Sequence, residues 1–179
     1  PSQPHALSRR EALTKTGRAI AGAALASASL PLLTRAALAA TGNRFRVAAI
    51  VTEYSYRSHA HVILENFLEP YLFNGRRIDP GMDVVTFYAD QTASDGDLTR
   101  AVADRYRIRV CRSIAEALCD GGSELAVDAV LSIGEHGKYP ENEKGQLLYP
   151  RRKFFEEICK VFETTKKVVP VFNDKHLAA

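Results

Sequence analysis

Hydrophobic positions in this chain change period several times, and each change marks an element. Residues 46–52, RVAAIVT, form a short apolar run bounded by charge, the length of a strand buried on both faces. Over residues 61–72 the period lengthens. Ile63, Phe67 and Tyr71 make one stripe, with Leu64, Leu68 and Leu72 beside it, which predicts an amphipathic helix with Ser58 as its N-cap. Asn74-Gly75 and Asp79-Pro80-Gly81 then mark a loop. Residues 83–89, DVVTFYA, are β-branched and aromatic and predict a second strand running into Asp90.

The alternation continues to the end of the chain. Leu98, Ala101, Val102 and Tyr106 are spaced for a helix capped by Asp97 or Asp95, and residues 108–111 predict a third strand. Ser113-Ile114-Ala115-Glu116 is a capping box opening a short helix that Gly121-Gly122 ends. Residues 128–133 read as a buried fourth strand, followed by a Gly- and Pro-punctuated loop. Phe154, Phe155, Ile158, Cys159 and Phe162 line a helix with Pro150 in its first turn. Residues 168–172 predict a fifth strand, with Pro170 implying pairing on one side only. Five strands alternating with helices predict an α/β fold: an open, doubly wound, Rossmann-like parallel sheet with helices on both faces.

Residues 1–40 have a different character. Arg9-Arg10 precedes an uncharged run from Ala19 to Leu33 rich in Ala, Gly and Ser, and Ala37-Leu38-Ala39 offers small residues at the spacing of a cleavage site. This order resembles a twin-arginine export signal and implies the export machinery as a partner and a periplasmic or otherwise exported destination. The apolar run is short and poor in Leu and Ile against the ~20 residues a spanning helix needs, so no stable membrane span is expected in the mature form. Residues 41–179 form the body. The chain opens on Pro and stops at Ala179 just after a strand-like run, so it reads as a fragment open at its C-terminus.

Charge and cysteine content then narrow the function classes. Arg9, Arg10, Lys15, Arg18 and Arg35 against Glu11 give the leader +4, so the whole-chain +3 leaves about −1 for the body. A near-neutral body gives no support for nucleic-acid binding. Arg105, Arg107, Arg109 and Arg112 cluster without interleaved aromatics and read as a solvated helix end and strand edge. Cys111, Cys119 and Cys159 are odd in number, which excludes a fully paired disulfide framework and reads as buried inert thiols.

Ligands of open parallel sheets sit outside the carboxyl ends of the strands. Collected there are Thr52, Glu53 and Tyr54, then Asp90, then Gly134, Glu135 and His136, then Asn173, Asp174, Lys175 and His176. A weaker reading is a zinc-type site from His59, His136 and His176 with Glu53 or Glu135, although no local metal-ligand spacing supports it.

Four features carry a family resemblance over residues 46–179: Arg57-Ser58-His59-Ala60 at the helix opening, Asp90, the strand sequence AVDAVL at 126–131, and VPVFNDKHLA at 169–178. In these the chain resembles the glucose-fructose oxidoreductase and inositol dehydrogenase family of NAD(P)-dependent oxidoreductases. The resemblance implies the NAD(P)-binding domain of an exported oxidoreductase acting on a carbohydrate-like alcohol or carbonyl. It also implies a following α+β domain beyond this chain, through which the protein would form a homo-oligomer. Lys175 would be catalytic, orienting the reacting group. Thr52, Arg57, Ser58, His59, Asp90, Gly134 and His136 would bind the cofactor, with Asp90 on the adenine ribose favouring NAD over NADP. No metal is expected. The family's glycine-rich first turn is here Thr52–Ser58, with no glycine, and His176 replaces a proline after Lys175. That departure motivates an alternative: an exported, non-redox sugar- or glycan-binding protein that keeps the dehydrogenase fold.

Overall fold

The computed structural model describes residues 44–92 and 95–177. The leader at 1–40 lies outside the described residues. The elements follow in the order β1 (Phe45–Val51), α1 (His59–Leu68), β2 (Tyr71–Phe73), β3 (Arg76–Ile78), β4 (Met82–Ala89), α2 (Thr99–Tyr106), β5 (Arg109–Val110), α3 (Ile114–Leu118), β6 (Ala129–Ile133), α4 (Arg151–Thr165) and β7 (Val171–Asn173).

One sheet has the order β5-β4-β1-β6-β7 and every pairing in it is parallel. Counted within that sheet, the order is third, second, first, fourth, fifth, which is a Rossmann-like α/β arrangement. β1 is central because its residues are apolar on both faces. Val47, Ala49 and Val51 pack with Ala60 and Leu64 of α1 and Ala103 of α2. Ala48 and Ile50 pack on the opposite face with Ile114 and Leu118 of α3 and Phe154 and Ile158 of α4. The two cores are therefore divided by the alternation of side chains along one strand.

The helix that follows β1 is shorter than its apolar stripe predicts. α1 stops at Leu68, Pro70 cannot donate a helical hydrogen bond, and Tyr71–Phe73 pairs antiparallel with Arg76–Ile78. Asn74 and Gly75 both have positive φ, 49° and 74°, as the two-residue turn of such a hairpin requires. Tyr71 and Leu72 thus belong to a small hairpin, and Leu72 and Phe73 are exposed on it. α2 also departs from expectation. Its N-cap is Leu98, and Asp97 instead accepts from the Thr99 amide and hydroxyl. Ser113 caps α3 by accepting from the Glu116 amide, while the Glu116 carboxylate reaches back to the Arg112 amide. β7 is an edge strand, consistent with Pro170, whose carbonyl accepts from Val130.

Cys111, Cys119 and Cys159 are free thiols, and burial raises the pKa of Cys111 and Cys119 above the ordinary thiol value. Among the described residues no helix is long and apolar enough to cross a membrane.

Candidate functional site

The strand order reverses between β1 and β6, and the crevice at the carboxyl ends of such a pair is where sheets of this kind place a ligand. The turn leaving β1 is built without glycine. Thr52 is fully buried and its hydroxyl donates to the Glu135 carbonyl at 2.6 Å, tying the end of β1 to the segment after β6. Tyr54 turns inward, edge-on to Phe87 at 5.3 Å, and burial pushes its phenol up to about 12. Arg57 takes the left-handed conformation, φ 63°, and its guanidinium lies over the exposed Tyr56 ring. Ser58, 1% exposed, accepts from the amides of His61 and Ser55.

This capping brings His59 to the mouth of the crevice. Its Nδ1 lies 2.9 Å from Asp174 Oδ2, and its backbone N–H donates to His136 Nδ1 at 3.4 Å. The two imidazole centroids are 5.2 Å apart. His136 reaches this position through a left-handed backbone, φ 71°, just after Gly134 and Glu135. Arg151, the first residue of α4, holds those two residues in place. It donates through Nε to the Gly134 carbonyl at 2.8 Å and through a terminal nitrogen to Glu135 at 2.6 Å. A Cβ on Gly134 would lie 2.6 Å from Arg151 Cγ, so the close passage needs glycine.

A second cluster surrounds Asp90. Tyr88 and Tyr139 donate their hydroxyls to its two carboxylate oxygens at 2.7 and 2.8 Å. Burial, then the Asp90 hydrogen bond, raises both phenols well above the ordinary range. Beside it, Gln91 exchanges two hydrogen bonds with the backbone of Lys138, both 2.9 Å. Residues 138 and 139 follow β6, whereas Asp90 and Gln91 follow β4. These bonds therefore carry a strap across the end of β1, which lies between those strands.

Of the residues the sequence singles out, the structure gathers His59, Gly134, Glu135, His136 and Asp174. Thr52 and Ser58 are buried in bonds that hold the turn together. Arg57 faces outward against Tyr56. Asp90 stands in the tyrosine cluster. Lys175 is half-buried two residues beyond β7, its carbonyl accepting from the Asn173 side chain, and no partner for its ammonium is found among the described residues. His176 is exposed.

The crevice can be tested against the groups expected of it. The pyrophosphate of a dinucleotide would sit at the start of α1, where anions are favoured. Here His136 accepts the first helical N–H, Ser58 caps the third, and the carboxylates of Glu53 in the turn and Asp174 at His59 add negative charge, whereas Glu135 is paired with Arg151. An adenine ribose at Asp90 would meet Tyr88 and Tyr139. A dinucleotide along this edge must displace both His136 and the strap, so the present arrangement does not fit one. For a metal, ligand atoms of His59, Glu135 and Asp174 all lie within 4.8 Å of one another. A cation there would break the His59–Asp174 contact and compete with Arg151 for Glu135.

Two depressions lie elsewhere. One of about 400 Å3 is lined by residues that include Tyr54, His61, Tyr71 and Arg105, and one of about 410 Å3 lies between α3 and α4. Neither takes in His59, His136 or Asp174, so convergence of polar groups, not concavity, singles out the strand ends.

The fold and site define a Rossmann-like α/β domain with an imidazole–carboxylate cluster at its switch point. The chain matches no known family model, no curated protein and no solved structure.

Proposed function

We propose that this chain is an exported, non-redox binding domain for a small carbohydrate-like ligand, seated at the carboxyl ends of β1, β6 and β7. The observation that carries this reading is the strap. Tyr139 on Asp90 and Lys138 on Gln91 cross the place a dinucleotide would occupy, while His136 covers the start of α1. What stays open is a short stretch rich in imidazole and carboxylate groups with Lys175 at its edge. Such a mixture of donors and acceptors suits the hydroxyls of a polyol better than the charge of a pyrophosphate. If residues 1–40 act as the export signal that their sequence resembles, the ligand would be met outside the cytoplasm.

A second reading is favoured by a different observation, the β5-β4-β1-β6-β7 order with Asp90 at the end of β4. On that reading the domain binds NAD in an oxidoreductase of the resembled family, with Lys175 beside the substrate and oligomer contacts made by a further domain. One pair of titrations separates the two. The full-length protein is titrated with NADH, followed by nicotinamide fluorescence, and with a set of monosaccharides and cyclic polyols, followed by ligand-observed NMR. Saturable binding of a sugar or polyol without NADH binding is the expected result. Tight NADH binding, or nicotinamide released when the native protein is denatured, overturns the binding-domain reading in favour of the second.

A further inference from the structure

We infer that His59 and His136 form an acid–base pair able to enolise an α-hydroxy ketone or aldehyde, an activity that goes beyond binding but rests on a sugar-type ligand reaching this crevice. The inference starts from which ring nitrogen carries the proton. An ionised carboxylate only accepts hydrogen bonds. Asp174, 2.9 Å from His59 Nδ1, therefore selects the tautomer with the proton on Nδ1. The lone pair of neutral His59 is left on Nε2.

His136 is held the other way round. Its Nδ1 faces a backbone N–H, that of His59, at 3.4 Å, so this nitrogen carries the lone pair and Nε2 carries the proton. In their neutral forms the two imidazoles, with centroids 5.2 Å apart, thus present opposite functions, a base and a donor. Neither Nε2 has a hydrogen-bond partner among the described residues. The flanking charges are already balanced or fixed, with Glu135 on Arg151 and Glu53 on the Ser55 hydroxyl.

Enolisation needs these two functions and no oxidant. His59 Nε2 takes the proton from the carbon bearing the hydroxyl. The electrons of that C–H bond form the enediol double bond, and the carbonyl π electrons move to oxygen, which takes the His136 Nε2 proton. His136 regains a proton from the neighbouring hydroxyl. His59 then returns its own to the adjacent carbon, giving the isomeric α-hydroxy carbonyl with all atoms conserved. His59 and His136 touch the substrate; Asp174 is a positioning residue that acts through the His59 tautomer.

The test incubates the full-length protein in D2O with dihydroxyacetone or D-fructose and follows loss of the proton α to the carbonyl by 1H NMR. Exchange above that of the His59→Gln protein is expected, with a loss in the variant of roughly 100-fold or more, the scale of general acid–base catalysis. Ligand-observed NMR must show that His59→Gln still binds the sugar, and circular dichroism that it folds. Asp174→Asn should slow exchange and shift the 15N signals of His59 to the other tautomer, which a merely structural carboxylate would not do. His136→Phe should slow exchange measured at saturating sugar, whatever its effect on affinity. Binding without exchange overturns the acid–base inference alone. Absence of any sugar binding overturns it together with the proposed function. Exchange abolished by chelation would assign the polarising role to a cation on His59, Glu135 and Asp174, and would also overturn it.

Discussion

Single residues at this site act through their neighbours, and Gly134 is the clearest case. The space a side chain would need there is filled by the Cγ of Arg151, whose guanidinium holds Glu135 and the Gly134 carbonyl. Gly134→Ala must push Arg151 aside and should cost about 1–3 kcal/mol, the range of overpacking. In an Arg151→Ala background the same substitution should cost less than about 0.5 kcal/mol, because the colliding atom is gone. Urea unfolding of the four proteins measures this, and equal costs in both backgrounds would refute the contact. Tyr139 gives a pH prediction. Its phenol is raised above the ordinary 10.0 by burial and by Asp90. A raised folded-state value adds stability that is complete below pH 10 and is lost as pH rises beyond it, because the unfolded phenol ionises first. Stability should fall above pH 10, and Tyr139→Phe should flatten that fall. An unchanged alkaline slope in the variant would show that Tyr139 is not the titrating group. Neither prediction was visible in the sequence. Tyr139 reaches the site from a loop whose path no periodicity reports, and Arg151 from the first turn of α4 where that loop ends, whereas His136 and Asp174 were legible as polar residues directly following strands and His59 as part of the helix opening.

Elements were legible where local pattern and tertiary demand agree. The apolar run of β1 must be buried on both faces, and it is. Ser58 was legible as an N-cap, and the structure gives its hydroxyl two amides, those of His61 and Ser55. Ser58→Ala leaves both donors unpaired in a buried place and should destabilise by about 1–2 kcal/mol, the upper part of the range for a lost cap. Ser58→Asp should recover less than half of that, since a carboxylate restores the acceptor but is itself buried. Thermal denaturation of both variants checks the order, and full recovery by Asp would mean the position is wetter than its burial indicates. The end of α1 was not legible. Its stripe Ile63, Phe67, Tyr71 keeps a helical spacing through Pro70, so hydrophobic period alone extends the helix. What stops it is the missing amide of Pro70 and the Asn74-Gly75 turn. Those two signals compete with the stripe and win because together they also form a paired hairpin.

At the scale of the molecule, the strap joins the segments after β4 and β6 across the end of β1, and on the proposed reading it decides what can use the crevice there. The strap is held by neutral and charge-assisted hydrogen bonds at a partly exposed edge, each contributing modestly to net stability. Gln91→Ala removes both bonds to Lys138, and Tyr139→Phe removes one bond to Asp90. The double variant should therefore lose only about 1–3 kcal/mol of global stability, while the Lys138 amide, now unpaired, exchanges its hydrogen much faster through local opening. If Lys138 stays protected, other contacts hold the strap and its role as a cover is wrong. The same variant bears on the cofactor question. If the strap alone excludes a dinucleotide, NADH should begin to bind once it is loosened. The arrangement at the start of α1 argues against that, because His136 still occupies the first helical N–H and the Glu53 and Asp174 carboxylates, held by the Ser55 hydroxyl and the His59 ring, still add negative charge there. NADH binding should remain undetected in the strap variant and emerge only when Glu53→Gln is added. Fluorescence titration of the parent, the strap variant and the triple variant reads this directly. Strong NADH binding on strap opening alone would make the strap a cover over a working cofactor groove and restore the oxidoreductase reading.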